Sequence, residues 1–543
     1  MLRAPPLKIS DAASRRYERR RPEQTVLYES VAAHLETFMA DVDAHDGRGL
    51  PRYVEKELRA YLKCGILAHG FLRASCKSCG DELVVAFSCK RRGVCPSCNA
   101  RRMCSTAAHL VDSVFPDVPV RQWVLSVPYE LRLTLARRAD AFGALIRIFS
   151  REVLRWQRMV SGLPASLGGG VTFPQRFGGS LNLNTHVHAV FPDGVFVRDG
   201  ETHAEFIRIR PPTSLELSML CERIHAKMVR WLDKRGLLRR DDDISNDSPR
   251  LSCLDACAQT ALGMGVLAKV KDSGAKSARG DEKRLPRPRK GKYVGEALGF
   301  GIHAGVSIAA GDTLGRELLF RYCARPPLCL ERLSVLSDGR IAYRLKAPWR
   351  KDQTHRVMTP VEFIARLAAL VPPPRHPLIQ FQGVFAPNSA WRSRVVPAAT
   401  NSSTEPCGAH TKPQSPTVQP NTAKEEAPRG GGPAPPTPTL AVATPIASAA
   451  PPSVAHAAAP RWIDWATLLK RVYDIDALAC PCGGRLRFKE VVDERDHAAK
   501  ILHRLGLPTE PPIIARARAP TDDDPPDPQP WIDPPPPDDL DPA

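Results

Sequence analysis

The sequence has 543 residues and a formal net charge of +19, which together predict several domains and a polyanionic partner. No stretch approaches the ~18 apolar residues of a membrane span, and the first residues lack the apolar core of a signal peptide. We therefore expect a cytoplasmic protein with no membrane partner. The chain's 15 cysteines cluster towards its start, which indicates metal binding rather than a secreted disulfide framework.

The chain begins with a basic arm and helix over residues 1–55. A run of arginines at residues 15–21 precedes an amphipathic pattern that predicts a helix over residues 26–39. This run is either an arm that contacts DNA or a solvated basic surface, because nothing in the sequence orients its charges.

Residues 56–115 have the pattern of a zinc-ribbon-like module. Two Cys-x-x-Cys pairs are separated by fifteen residues, of which residues 83–87 form a predicted hairpin strand. Such spacing predicts that one Zn²⁺ is bound by four thiolates, those of Cys76, Cys79, Cys95 and Cys98. Cys64 and Cys89 are either additional metal ligands or small buried apolar residues, and the second interpretation is favoured because four ligands complete a structural site. Basic residues suited to phosphate contacts surround the second pair, namely Arg91, Arg92, Arg101 and Arg102.

Residues 116–395 show the mixed pattern of an α+β domain, with a first strand over 118–127 and a helix over 139–159. A strand over residues 181–190 should have one buried and one polar face, with His186 and His188 together on the polar face. Two imidazoles placed in this way can bind one divalent cation if a third group completes the site, or the strand merely carries two histidines. Gln175, on a preceding strand over 171–178, is either that third ligand or an ordinary strand residue.

A short helix that ends before residues 326–327, two prolines, is predicted to carry Tyr322 between Arg321 and Arg325. Its inward face is expected to consist of Leu314, Leu318, Leu319 and Tyr322. A tyrosine hydroxyl can act as a nucleophile on a phosphodiester that a cation polarises and arginines hold. Alternatively, Tyr322 is an ordinary packed tyrosine. Tyr343, in a predicted strand, is the main competing nucleophile.

A basic segment over residues 269–292 separates the histidine strand from the tyrosine helix. It can follow a phosphate backbone or simply remain solvated. The residues of this segment that are predicted to contact DNA are Lys283, Arg284, Arg287, Arg289 and Lys290.

The remainder of the chain alternates between low-complexity and structured segments. A Pro/Ala-rich disordered linker is predicted over 396–460, a small helical module over 461–510, and an acidic Pro-rich tail over 511–543. The module contains Cys480 and Cys482, but no second cysteine pair follows, so an intact second zinc site is not expected.

Several of these motifs together resemble one family. Residues 182–188 (NLNTHVH), 193–196 (DGVF), 299–305 (GFGIHAG) and 321–327 (RYCARPP) look like the corresponding motifs of rolling-circle transposases of the insertion sequence 91 family. The resemblance also covers the zinc module and resumes near Arg461.

The resemblance implies an HUH-type antiparallel-sheet nuclease domain, in which His186 and His188 bind Mg²⁺ or Mn²⁺. It further implies that Tyr322 cuts one DNA strand and remains bonded to the 5′ end of that strand as a phosphotyrosine. The bound strand is then transferred to a target. The expected partners are the element ends, single-stranded intermediates and target DNA. Because Leu318 stands where some relatives have a second tyrosine, the chain resembles the single-tyrosine branch, and a homodimer is left open.

Two alternatives also remain open. The first is a replication initiator or relaxase with the same chemistry. The second is a zinc-dependent DNA-binding protein without catalysis, although it would leave the histidine strand and Tyr322 without a role.

Overall fold

A computed structural model of the protein describes residues 17–46, 49–200, 203–237, 252–262, 291–349, 353–397 and 463–518. All of these residues belong to one unit, in which the segment after residue 462 is grouped with the first part of the chain. All but the last two residues of the predicted basic segment over 269–292, and most of the predicted linker, lie outside the described residues. In the described part of the chain, no helix has the length and apolar character needed to cross a membrane.

The helices and strands occur in mixed order along the chain. The helices are α1 (Val26–Asp46), α2 (Arg52–Lys63), α3 (Pro96–Ser113), α4 (Tyr129–Arg137), α5 (Ala139–Ser161), α6 (Ser214–Asp233), α7 (Cys253–Leu262), α8 (Thr313–Cys323), α9 (Pro360–Leu370), α10 (Arg392–Val395), α11 (Trp465–Tyr473) and α12 (Arg495–Arg504). The strands are β1 (Phe71–Cys76), β2 (Glu82–Ala86), β3 (Val120–Ser126), β4 (Gly169–Phe177), β5 (Leu183–Pro192), β6 (Gly194–Asp199), β7 (His203–Arg208), β8 (Val294–Ala297), β9 (Phe300–His303), β10 (Ser307–Ile308), β11 (Leu333–Val335), β12 (Ile341–Trp349), β13 (Gln353–Met358), β14 (Gln380–Gly383) and β15 (Leu486–Val492).

The largest sheet has the order β14-β4-β5-β3-β9-β8, with β10 paired to β3. Every pairing found within it is antiparallel. The strand that carries the two histidines, β5, therefore lies in the interior of the sheet between β3 and β4. This combination of helices with an antiparallel sheet confirms the predicted α+β class.

Helices cover both faces of this sheet. One face packs against α5 and α6, with Phe149 and Ile224 contributing to a shared core with Val187 and Phe191 of β5. The other face packs against α3 and α8. The polar face of β5 is buried as well as the apolar one, because all ten residues of the strand are buried. A polar residue on a covered face must find a partner inside the protein.

The N-terminal cysteine-rich module includes a strand from the other end of the chain. Strand β15 pairs with β1 from Phe71↔Val492 to Cys76↔Leu486, and β1 also pairs with β2. Phe71 and Val492 share a small core with Leu502 of α12. The expectation of a separate helical module over 461–510 is therefore corrected, because its strand belongs to the zinc-module sheet.

A further core joins α1, α2, α7 and α9 to the sheet formed by β11, β12 and β13. Residues beyond 510 reach this region, since the backbone N–H of Ala515 donates to the carbonyl of Ala32 at 3.0 Å. The amide of Arg518 donates to the hydroxyl of Thr37 at 3.1 Å. The predicted tail boundary at 511 is thus too early, because residues up to 518 contact α1.

Candidate active site and cysteine groups

The two histidines of β5 converge inside the protein. Their side chains lie on the face that α3 and α8 cover, and His186 and His188 are only 5% and 1% exposed. The Nε2 atoms of the two rings are 3.1 Å apart. Two adjacent ligands of an octahedral ion, each ~2.1 Å from it at a right angle, would be about 3.0 Å apart. The observed separation therefore fits a pair of imidazoles that share one divalent cation.

The other ring nitrogens are held by neighbouring groups. Nδ1 of His186 lies 2.9 Å from the carbonyl of Asn184, to which only an Nδ1–H can donate, so Nε2 keeps its lone pair for a cation. Nδ1 of His188 lies 2.8 Å from the side-chain amide of Gln122 on β3. Burial is the main cause that lowers the pKa of His188 well below its usual range, with the charges of His186 and Arg325 adding to it. Burial thus favours the neutral ring. With Nδ1 accepting from the Gln122 amide, Nε2 of His188 carries the proton and can donate to Nε2 of His186, so binding a cation there requires this proton to leave or the Gln122 amide to turn.

Gln175 of β4 lies opposite His186 in the sheet. Its Nε2 donates to the carbonyl of Cys323 at the end of α8, at 2.7 Å. Among the described residues, no donor reaches its buried Oε1. An amide oxygen left without a donor, on the residue paired with His186, is a suitable third donor, and a set of nitrogen and oxygen donors is compatible with Mn²⁺. This observation favours the ligand interpretation of Gln175 over an ordinary strand residue.

Helix α8 brings Tyr322 to the histidines. The helix begins after Asp312, whose carboxylate accepts the N–H of Gly315 at 2.8 Å. The ring of Tyr322 packs edge-on against His188, with 5.6 Å between the ring centroids. The guanidinium of Arg325 lies over the Tyr322 ring at 5.0 Å. The Tyr322 phenol, the Arg325 guanidinium and the histidine pair thus lie next to one another.

The predicted inward face of α8 is partly wrong. Leu314 and Leu318 are 68% and 51% exposed, whereas Leu319, Phe320 and Cys323 pack into the core beneath the sheet. Arg321 does not share the position of Arg325, because it forms an ion pair with Glu317 one turn earlier. Tyr343 is buried at 1% exposure, and its hydroxyl accepts the backbone N–H of Cys329 at 3.4 Å, so it is a core residue.

The cysteines of the zinc module divide differently from the prediction. Cys95 and Cys98 group with Cys64 and Cys89, not with the first Cys-x-x-Cys pair. Cys76 and Cys79 instead group with Cys480 and Cys482. In each group the four sulfurs lie within 4.8 Å of one another. The prediction of a single site formed by Cys76, Cys79, Cys95 and Cys98 is therefore wrong. The interpretation of Cys64 and Cys89 as buried apolar residues is also wrong, because both belong to a group of four cysteines.

The first group, Cys64, Cys89, Cys95 and Cys98, has a neighbour that sequence reasoning missed. Arg20, in the N-terminal basic run, donates from Nη2 to the carbonyl of Cys64 at 3.2 Å and to its Sγ at 3.5 Å. The backbone N–H of Cys89 also donates to this sulfur at 3.2 Å. A cation and an amide beside the sulfur stabilise negative charge on it. The clustering of arginines was the only signal, and it does not specify a sulfur partner.

Two of the four arginines near the second Cys-x-x-Cys pair are occupied within the protein. Arg92 donates to the carbonyls of His376 and Pro373 at 2.7 and 2.8 Å. Arg102 donates to the carbonyls of Arg91 and Lys90 at 3.1 and 3.2 Å. These contacts correct the expectation that all four guanidinium groups face phosphate. The side chain of Arg91 is exposed and that of Arg101 is half-buried.

Two comparisons bear on this chain. Residues 169–392, which include the histidine strand and Tyr322, match the family described as "Putative transposase". Residues 31–127 match the family described as "Transposase zinc-binding domain". No curated protein and no solved structure matches the chain.

The buried histidine pair, the adjoining tyrosine and the cysteine groups therefore belong to a transposase, a class that acts on DNA. The two matches, one of them to the zinc-binding domain of insertion sequence 91 transposases, together support a transposase of the insertion sequence 91 family. The zinc-binding match and the two cysteine groups also support structural zinc.

Proposed function

We propose that this transposase has an HUH-type nuclease domain, nicks one strand of the element-end DNA and transfers it to a target in rolling-circle transposition. Tyr322 is the nucleophile, and His186, His188 and Gln175 bind a divalent cation. The observation that carries this proposal is the meeting of the histidine Nε2 pair, 3.1 Å apart, with the Tyr322 ring, 5.6 Å from that of His188.

The chemistry assigns a task to each side chain. Mg²⁺ or Mn²⁺, when bound, would polarise the scissile phosphate. The Tyr322 oxygen attacks phosphorus, a phosphotyrosine bond forms, the bond to the 3′ oxygen breaks, and the phenol proton ends on that 3′ oxygen. Arg325, over the tyrosine ring, stabilises the phenolate and the charged phosphate oxygens. A 3′ hydroxyl of the target strand then reverses this exchange, so no nucleotide hydrolysis is needed.

Fixed positioning is the second contribution of the fold. Because β5 lies between two strands and both sheet faces are covered, the imidazoles are held by the core rather than by a loop. Gln175 links the two halves of the site, since its Nε2 donates to the last turn of α8 while its backbone pairs with His186 of β5.

DNA contacts are proposed for two arginines of the zinc module and for the basic segment whose residues the structure does not describe. Arg91 and Arg101 at the zinc module, and Lys283, Arg284, Arg287, Arg289 and Lys290 in the segment outside the described residues, would bind phosphates of the element ends and of single-stranded intermediates. Arg92 and Arg102 would stabilise the zinc module, which carries Arg91 and Arg101.

The decisive experiment compares Tyr322→Phe with wild type on a single-stranded element end in the presence of Mn²⁺. We expect covalent protein–DNA adducts from wild type and none from Tyr322→Phe, which loses one hydroxyl but keeps the ring that packs on His188. Single-strand binding and zinc content should be unchanged in this variant. Peptide mapping should locate the phosphotyrosine at residue 322.

A matched control is Tyr343→Phe, which removes the same hydroxyl from a buried tyrosine of the same region and should keep adduct formation. His186→Ala should also lose adducts, but raised Mn²⁺ should restore part of them, because this change weakens cation binding rather than removing the nucleophile. Adducts that persist in Tyr322→Phe, or that map to Tyr343, would refute the assignment.

The same assay separates the alternatives. A replication initiator or relaxase would form the adduct on its own origin but not join an element end to a target strand. A non-catalytic zinc-dependent DNA-binding protein would shift the mobility of DNA without any covalent product. Whether two protomers pair to complete transfer can be followed by mixing Tyr322→Phe with His186→Ala.

A further inference from the structure

The second cysteine group joins parts of the chain that are about four hundred residues apart in sequence. We infer that Cys76, Cys79, Cys480 and Cys482 form a second zinc site, which fastens the C-terminal segment, residues 463–507, to the N-terminal module. Neither matching family region includes Cys480 or Cys482.

The sulfur positions suit a tetrahedral ion. Cys76 and Cys482 have their sulfurs 3.6 Å apart, and the sulfurs of Cys79 and Cys480 are 3.4 Å apart. Four thiolates at ~2.3 Å from a tetrahedral Zn²⁺ would be about 3.8 Å from one another. A disulfide requires ~2.05 Å, so these sulfurs are not bonded in pairs. Four soft thiolates with no hard oxygen donor among them select zinc over Mg²⁺ or Mn²⁺.

Both halves of the site are tight turns, each closed by the N–H of a glycine. The N–H of Gly80 donates to the carbonyl of Cys76, and the N–H of Gly483 donates to the carbonyl of Cys480, each at 3.0 Å. Both glycines have positive φ, +76° and +83°, which other residues adopt only with strain. The second turn has one residue fewer between its cysteines, yet it still directs both thiols towards one point.

Close packing around the sulfurs distinguishes this site from a chance grouping. A Cβ on Gly484 would lie 3.0 Å from Sγ of Cys76 and 3.3 Å from Sγ of Cys482. The glycine thus lets the C-terminal turn approach sulfurs of both halves. The N–H of Cys480 in turn donates to the carbonyl of Gly484 at 3.0 Å, which closes the turn.

The site stands at one end of a strand pairing. The register of β1 with β15 begins at Cys76↔Leu486, directly beside the sulfurs, and continues to Phe71↔Val492. Along this pairing, Arg73 binds Glu82 of β2 and Glu490 of β15, so charges as well as backbone bonds hold the strand. A zinc ion at the Cys76 end would fix the register and prevent this end from fraying.

The test is alkylation of the full-length protein, followed by peptide mapping of each cysteine. Cys79 and Cys482 are exposed, so their thiols should react rapidly with iodoacetamide unless a metal holds them. We expect slow modification of both in freshly purified protein and at least tenfold faster modification after chelation. Cys329 lies outside both groups and is half-buried, and its rate should not change.

Zinc content provides the second measurement. Wild type should bind two zinc ions per chain, one for each group, and Cys480→Ser/Cys482→Ser should bind one. In that variant Cys64, Cys89, Cys95 and Cys98 should remain protected from alkylation. Cys329→Ser is the matched control and should keep both ions.

Three results would overturn the inference. These are equal alkylation of Cys79 and Cys482 with and without chelator, a disulfide within the group in freshly purified protein, or two zinc ions in the double variant. Because alkylation uses the wild-type chain, it decides the matter even if the double variant does not fold. Neither measurement requires strand cleavage, so the zinc site is tested apart from the nicking reaction.

Discussion

Arg471 offers a quantitative test of how the C-terminal segment contacts the tyrosine helix. Its guanidinium lies 2.8 Å from a carboxylate oxygen of Glu317 on α8 and 2.5 Å from one of Asp112 on α3. The Glu317 side chain is only 8% exposed, whereas that of Asp112 is 45% exposed. The contact with Glu317 therefore dominates, because solvent screens the contact with Asp112.

Arg471→Ala removes a charge-assisted hydrogen bond from a nearly buried carboxylate, which costs about 1.5–3 kcal/mol. The pair with Asp112 adds at most about 1 kcal/mol. Arg321 continues to compensate Glu317, so the total should stay near 2–3 kcal/mol. A loss of this size raises the fraction of molecules in which α11 is detached from α3 and α8 by about 30- to 150-fold.

Hydrogen exchange of the full-length chain measures this opening directly, with faster exchange expected in α11 and in the first turns of α8. The control is Arg485→Ala, which removes an exposed ion pair with Asp476 in the same segment and should cost under about 1 kcal/mol. If Arg471→Ala and Arg485→Ala increased exchange equally, the buried contact with Glu317 would not be what stabilises the segment.

Two further predictions follow from charge and burial. Deleting residues 519–543, which are rich in Asp and Pro, should tighten non-specific DNA binding at low salt and leave adduct formation intact. Identical DNA binding by both proteins across a salt series would show that this segment does not compete with DNA for the basic surface. Burial lowers the pKa of His376 to about 4, from ~6.5 in an unfolded chain, so the folded state resists protonation and stability falls as the pH drops through this interval. His376→Phe, which keeps the stacking on Phe142, should reduce the loss of unfolding free energy between neutral pH and about pH 4.5 by roughly 2 kcal/mol; equal acid sensitivity of both proteins would contradict this.

Local periodicity was sufficient to predict the elements that carry the candidate active site. The alternation around His186 and His188 predicted a strand, and residues 326–327 correctly marked the end of the tyrosine helix. Burial of the second face of β5 was not predictable, because it depends on α3 and α8, which come from distant parts of the chain. For the same reason, the inward face of α8 was misassigned at Leu314 and Leu318.

The division of the cysteines shows a different limit of sequence reasoning. Spacing alone made Cys76, Cys79, Cys95 and Cys98 a satisfactory set of four ligands. Nothing local indicates that β15 returns to β1 and brings Cys480 and Cys482 with it, because strand pairing across such a distance leaves no periodic signal. The same holds for Arg92 and Arg102, since sequence reveals the charge of a guanidinium but not the carbonyls that it reaches.

The pairing of β15 with β1 also has a consequence for the order in which the protein matures. During synthesis on the ribosome, Cys76 and Cys79 emerge early but cannot acquire their partners until residue 482 has been translated. A polypeptide that stops prematurely, for example within residues 399–462, would leave the edge of β1 and two thiols open to solvent. Quality-control proteases could recognise such a product, so only chains translated past β15 would complete the N-terminal sheet.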